Sequence, residues 1–335
     1  MISRVLLFVL LWVAGAGAQT VRIGVFGLFH PQDLSVSPAG SVLIMEIAGQ
    51  SVALDGHSVR VNLSGDSIEA SVDSASWRVP RVVIHSRDGG AAGFSLSVPG
   101  KIRRKYVGTL EIVARSGELL PVVTMDQEVA VASIVAVESP PGAPLEALKA
   151  LAVAARSFIV ARDSGHLAFD FCDTTHCQHL RQPPPDGSSA AQATRATRGM
   201  VLAWHDTVVA AMYTPACGGR THSLAELDLP APGYPYYSVE CPYCREHPRN
   251  WTRDLSRPVN GERDRLDYVR EHGWSALPGN NYRLLETDGR LVAEGSGLGH
   301  GLGLCERGAA AMAVDGKTFR EILDHYYPNT TVVAH

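Results

Sequence analysis

Basic charge is not in surplus in this 335-residue chain: 30 Lys and Arg stand against 34 Asp and Glu, a formal net charge of −4. That balance argues against a general nucleic-acid binder, whose phosphate contacts need a clear basic excess. The only dense basic run, Lys101-Ile102-Arg103-Arg104-Lys105, reads as a solvated strand edge. Cysteine is absent from the first 171 residues; all six, at 172, 177, 217, 241, 244 and 305, come later. There is no internal repeat and no long polar low-complexity tract, so the chain has what it needs to bury one large core or two smaller ones.

Long apolar runs are equally scarce. The one candidate, Val5 to about Ala14 in MISRVLLFVLLWVAGAGAQT, follows a single basic residue, Arg4, and precedes Ala16-Gly17-Ala18, a small-x-small site that signal peptidase cuts. Export is expected, with a signal peptide at 1–18 and a mature start near Gln19. The competing reading is an uncleaved N-terminal anchor, but the run falls short of the roughly 20 apolar residues a span needs.

The expected fold is α+β: a β-rich N-terminal region at 19–100, then a mixed α/β domain at 101–335 built on a central buried helix. From Thr20 to about Val98, short β-like runs alternate with Gly, Pro, Asp and Ser. After strands around Gly117 the period changes, and the segment from Pro144 to Val160 is apolar on nearly every side, as a core helix is. Ser188 to Arg198, Gly308 to Ala313 and Thr318 to Tyr326 read as helices, and Met200 to Tyr213 as a hairpin around His205-Asp206.

Chemistry concentrates in the second half. GSGLGHGLG at 295–303 misses the dinucleotide-binding spacing from every starting glycine; its bare backbone reads as a place where a polymeric ligand approaches, with His300 as the polar tip. FCDTTHCQHL at 171–180 allows a Cys172–Cys177 disulfide or a zinc site of both thiolates, His176 and either His166 or His179. Cys241-Pro242-Tyr243-Cys244 reads first as a disulfide, and Cys217 and Cys305 either pair with each other or join it in a second metal site. Glu138 ends the apolar run Ile134–Val137, where desolvation raises a carboxyl toward the value a general acid needs; an exposed loop glutamate is the competing reading.

Four stretches, VESPPGAPLEALKALAVAARSF, FCDTTHCQ, MYTPACGGRTHS and GHGLGLCERGAAAMA followed by ILDHYYPNT, resemble in sequence and order the stage II sporulation protein D and amidase-enhancer family, over roughly Tyr106 to Thr331. The resemblance implies a lytic transglycosylase acting on peptidoglycan glycan strands, with Glu138 as its one acid and base. It further implies structural zinc on His166, Cys172, His176 and Cys177. Arg156, Tyr213 and His300 are the expected glycan contacts. The amidase-enhancer branch implies the alternative, a non-catalytic wall-binding activator partnered with a cell-wall amidase. Cys305-Glu306 departs from the Ser-Gln common in the family, which puts the rim of the substrate site in doubt.

Overall fold

The computed structural model describes residues 19–161, 165–231 and 233–335, and the expected leader lies outside them. Alternating side chains build the N-terminal strands: Leu34 and Val36 face inward from Asp33–Pro38, and Val59 and Val61 from Val59–Ser64. Two sheets result. One runs Ile102–Val107, Gly93–Val98, Asp33–Pro38, Val59–Ser64, Ser67–Val72, Ala75–Val79. The other runs Phe171–Cys172, Thr20–Gly24, Glu118–Asp126, Thr109–Arg115, Arg81–Ser86, Leu43–Ile47, Gln50–Ala53. Both feed one core, with Leu34, Val61 and Phe94 from the first and Leu43, Ile84 and Leu110 from the second.

The architecture is α+β with a β-rich N-terminal part. Residue 100, the expected domain boundary, falls within a hairpin: Ile102–Val107 completes the six-stranded sheet against Gly93–Val98. Thr20–Gly24 in turn pairs with Glu118–Asp126 and Phe171–Cys172. The basic run is the edge strand anticipated, except that Arg104 turns inward to Asp173 at 2.6 Å.

Helix α1 (Gln127–Glu138) begins at Asp126, whose carboxylate accepts the N–H groups of Glu128 and Val129 at 2.8 and 3.3 Å. It ends before Ser139-Pro140-Pro141, because proline has no N–H with which to continue it. The apolar run before Glu138 is therefore helical. Helix α2 (Leu145–Ala161) is the central buried helix, and its small side chains divide by face. Leu148, Leu151, Ala152, Ala155 and Ile159 pack into the sheet core, while Ala147, Ala150, Val153 and Ala154 pack into a second core with Leu302, Leu304, Ile322 and Tyr327.

The remaining helices among the described residues are α3 (Ser189–Ala196), α4 (Pro242–Glu246), α5 (Gly261–His272), α6 (Glu306–Val314) and α7 (Phe319–Tyr326). Ser188 caps α3, and Thr318 with Glu321 forms a capping box on α7. His205 and Asp206, both at positive φ, make the hairpin turn between Met200–Trp204 and Thr207–Val208. Helix α5 and the sheet of Asn250–Leu255, Arg290–Ser296 and Tyr282–Thr287 enclose a small third core around Leu255, Tyr268, Leu277 and Ala293.

Arg156, expected to reach a glycan, is instead fully buried. Its Nε and Nη2 donate to the two carboxylate oxygens of Glu128, each at 2.7 Å, and Nη1 donates to the Met200 carbonyl at 3.0 Å. A neighbouring carboxylate and carbonyls on the same helix bundle satisfy the guanidinium, so it has no reason to face solvent. Arg156→Met should lower the unfolding free energy by about 3–5 kcal/mol, and Glu128→Gln with Arg156→Met together by less, because the single change strands a charge. Urea titrations of the three chains check this.

Candidate functional site

The segment from Phe171 to His179 is tied down at both of its ends. Phe171 and Cys172 pair in parallel with Ile23 and Gly24. Asp173 accepts from Arg104 at 2.6 Å and from the Phe26 N–H at 3.4 Å. The Gln178 amide donates to the Ala155 carbonyl of α2 at 3.1 Å, and its oxygen accepts the Tyr213 hydroxyl at 3.0 Å. The His179 N–H donates to Glu138 Oε1 at 2.9 Å. A loop with little regular structure is thereby fixed against both ends of the helix pair.

Glu138, the last residue of α1, opens into a cleft of about 590 Å³. Thr175 to Gln178, Tyr213, His300 and Glu306 line it together with Arg253, Glu262, Arg265 and Trp274. Burial pushes Glu138 up to about 7, against the opposing hydrogen bond from His179. Glu306 is 5% exposed and is held far above the ordinary carboxyl range, by burial first and by the charge of Glu138 second. Burial likewise takes the His300 imidazole down to about 4, leaving it neutral, and its Nδ1 accepts the Leu302 N–H at 3.0 Å. Across the cleft Arg265 forks onto Glu262 at 2.7 and 2.9 Å, and Asn280 adds a third bond to the same carboxylate at 2.6 Å.

The glycine loop behind the cleft has a different use from the one expected. Its bare backbone lies against the protein's own chain: a Cβ on Gly303 would collide with the Met212 carbonyl oxygen, and one on Gly301 with the His222 ring. This close approach allows Leu304–Cys305 to pair with Tyr213–Thr214 and brings His300 and Tyr213 to the same cleft wall.

Two groups of four donors flank the cleft. In the first, one ligand atom each of His166, Cys172, His176 and Cys177 lies within 4.8 Å of all the others. His166 Nε2 is 3.3 Å from the Cys177 sulfur, and His176 Nδ1 is 3.7 and 3.5 Å from those of Cys172 and Cys177. Hydrogen bonds, from Cys177 first and also from Thr174 and His176, outweigh burial and hold Cys172 down at about 3, in the thiolate form. His179, the other candidate, contributes its backbone to Glu138. The second group is Cys217, Cys241, Cys244 and Cys305.

Residues 115–204 match the family described as Stage II sporulation protein, SpoIID. Over that stretch the chain is similar to the SpoIID family. Over 270 residues the chain is also 27% identical to an uncharacterized protein of Brachyspira hyodysenteriae, across 69% of this chain and 73% of that one. The matched segment spans Glu138 and the whole first donor group, and the family it resembles points to a cell-wall-related function. Tyr213, His300 and Glu306 lie beyond the matched segment. Sequence reasoning missed Gln178, the Glu262–Arg265 pair and Trp274 as cleft residues. It met Glu306 only as a departure from a familiar pattern, which was the available signal.

The contact of the glycine loop with Met212 gives a test. Gly303 sits at φ 65° with no room for a side chain. Gly303→Ala should cost at least about 2 kcal/mol, through the left-handed backbone and the displaced strand together. A thermal melt compared with the parent reads it.

Proposed function

We propose that the protein is an exported peptidoglycan lytic transglycosylase in which Glu138 is both acid and base. The observation that carries this reading is a carboxyl at the end of a rigid helix, in a cleft large enough for sugar rings, raised by burial to about 7. Protonated Glu138 gives its proton to the glycosidic oxygen between MurNAc and GlcNAc as the C1–O bond breaks. The resulting carboxylate then takes the proton of the muramoyl 6-hydroxyl as that oxygen bonds to C1, leaving a 1,6-anhydro end. No water is consumed, and one carboxyl suffices because the sugar supplies the nucleophile, unlike the paired-carboxyl glycosidases.

The cleft is suited to a glycan. Trp274 is 58% exposed and offers an aromatic face for the apolar side of a pyranose. Tyr213 and His300 supply polar edges, and Arg253, rather than Arg156, is the cleft cation available to a lactyl or peptide carboxylate. No helix among the described residues is long and apolar enough to cross a membrane. A non-catalytic amidase activator would have no use for a titrating carboxyl in this cleft, so Glu138 favours the enzyme.

The donor group of His166, Cys172, His176 and Cys177 fits zinc: its sulfur–nitrogen separations of 3.3–3.7 Å bracket the edge of about 3.6 Å expected for a tetrahedral ion of that ligand set. The ion would fix the loop that delivers the His179 N–H to Glu138. Zinc removal by chelator should lower the melting temperature, with its binding free energy lost from folding. A Cys172–Cys177 disulfide in the untreated protein would count against this site.

Glu138→Gln keeps the volume and the His179 contact but cannot transfer a proton, so release of anhydro-ended fragments should fall by about 10²–10⁴-fold or more. A variant that is folded by circular dichroism and cleaves at the parent rate would exclude Glu138. A parent that cleaves no wall preparation but stimulates an added amidase would favour the activator.

The same carboxyl sets the pH behaviour. The acid form is lost as pH rises through about 7, so kcat/KM should fall above it. Because the folded value is raised, Glu138 contributes full stability below the ordinary value of 4.5 and loses that contribution as pH rises to about 7. Glu138→Gln should therefore match the parent in stability near about pH 4 and exceed it near about pH 8, read by urea titration at both.

A further inference from the structure

The proposed reaction makes no use of Cys217, Cys241, Cys244 and Cys305, yet the fold gathers them from three distant segments. They come from the loop after Tyr213–Thr214, the start of α4 and the residue before α6. Each is at most 2% exposed. Their sulfurs all lie within 4.8 Å of one another, with those of Cys244 and Cys305 3.5 Å apart.

The shape of the group identifies its occupant. Two disulfides would divide four cysteines into two pairs, whereas here every sulfur is a near neighbour of the other three. Sulfurs bound tetrahedrally at about 2.3 Å to one zinc stand about 3.8 Å apart, which is the scale of this group. An iron–sulfur cluster would hold cysteine sulfurs farther apart, since several irons and bridging sulfides lie between them. Four soft thiolates without a carboxylate exclude calcium and magnesium.

The surroundings suit thiolates. The Cys217 N–H points at the Cys305 sulfur at 3.4 Å, and the buried Tyr326 hydroxyl lies 3.5 Å from that of Cys241. Such donors support metal-bound thiolates from outside the ligand shell. Gly308, in the first turn of α6, leaves the space: a Cβ there would collide with the Cys241 sulfur and the Tyr326 hydroxyl.

We propose that Cys217, Cys241, Cys244 and Cys305 bind a structural zinc ion as a closed tetrathiolate site behind the cleft. The ion joins three loops to the short ladder in which Tyr213 faces Leu304 and Thr214 faces Cys305. It thereby fixes the back wall of the cleft, since Glu306 follows Cys305 directly.

The test uses the full chain, purified without chelator, with metal content measured by mass spectrometry and the metal's neighbours by X-ray absorption. About two zinc ions per chain are expected, with on average about three sulfurs and one nitrogen around each. Cys172→Ser with Cys177→Ser should leave about one zinc in an all-sulfur shell. If the other donor group holds no metal, the parent should already show that single all-sulfur zinc, so failure there is distinguishable from failure here. Should the variant not fold, the parent's sulfur count decides: an average of two sulfurs and two nitrogens overturns the proposal. A folded variant free of zinc, iron in place of zinc, or alkylation revealing two disulfides among the four cysteines overturns it as well.

Discussion

The fork between Arg156 and Glu128 is the interaction on which the cleft depends. Helix α1 carries Glu138 at one end and Glu128 in its first turn, so whatever fixes Glu128 fixes the direction in which Glu138 emerges. Arg156 holds both oxygens of Glu128 and, through its remaining donors, the Ala152, Met200 and Thr194 carbonyls. One buried side chain thus orders α1, α2, α3 and the strand Met200–Trp204 around itself. A lysine could not do this, because its point charge lacks the planar fork that binds both oxygens at once. The pair is a costly device, as any buried charge is, and its return is a unique placement of helices whose alanine-rich faces would slide with little penalty.

A rigid helix end also explains the state of the carboxyl it carries. Glu138 receives a single backbone hydrogen bond and no cationic partner near enough to lower it, so desolvation dominates and the proton is retained to about 7. Glu306 does not compete for the role. It is more buried, its Oε1 has no hydrogen-bond partner among the described residues, and the charge on Glu138 holds its proton further. Two nearby carboxyls cannot both ionise cheaply, so Glu306 stays neutral and Glu138 is left as the group that titrates near neutrality. The Glu262–Arg265 pair neutralises itself across the cleft, and His300 is uncharged. Apart from Arg253 and the first donor group, the lining of the cleft is therefore poor in net charge, where a proton transfer is felt most strongly.

Much of this was legible in the chain before any coordinates. Alternating residues gave the N-terminal strands, the all-round apolar segment after Pro144 gave α2, and Ser188, Gly199 and Thr318 marked helix ends by their capping chemistry. Glu138 could be singled out because it closes an apolar run, and the spacing of FCDTTHC named three members of the first donor group. What failed did so for identifiable reasons. Arg156 was expected at the glycan, yet its partner Glu128 lies on another helix, and nothing local announces a tertiary ion pair. The glycines at 297–303 signalled close approach but not what approaches, which proved to be Ala216, Thr214, His222 and Met212 of the same chain, in that order. The small α5 core and the wall it gives the cleft had no sequence signature, being assembled from three short strands and one polar helix.

The placement of cysteine follows from the same division of labour. The two large sheets have continuous ladders and a core of their own, and the cysteines that reach them are Cys172 in an edge strand and Cys177, packed into the rim of their core. Around the cleft the ladders shrink to two residues, Phe171–Cys172 on one side and Tyr213–Thr214 with Leu304–Cys305 on the other. Such short pairings cannot hold loops rich in glycine and proline by themselves, since a two-residue ladder offers few hydrogen bonds against the entropy of the segments it joins. At those two places, and nowhere else among the described residues, four metal-binding side chains converge. The donor groups stand where backbone structure is thinnest, one on either side of the segments that carry Glu138 and Glu306 to the cleft, so a metal bound at either would cross-link the walls of the cleft as well as add to folding stability.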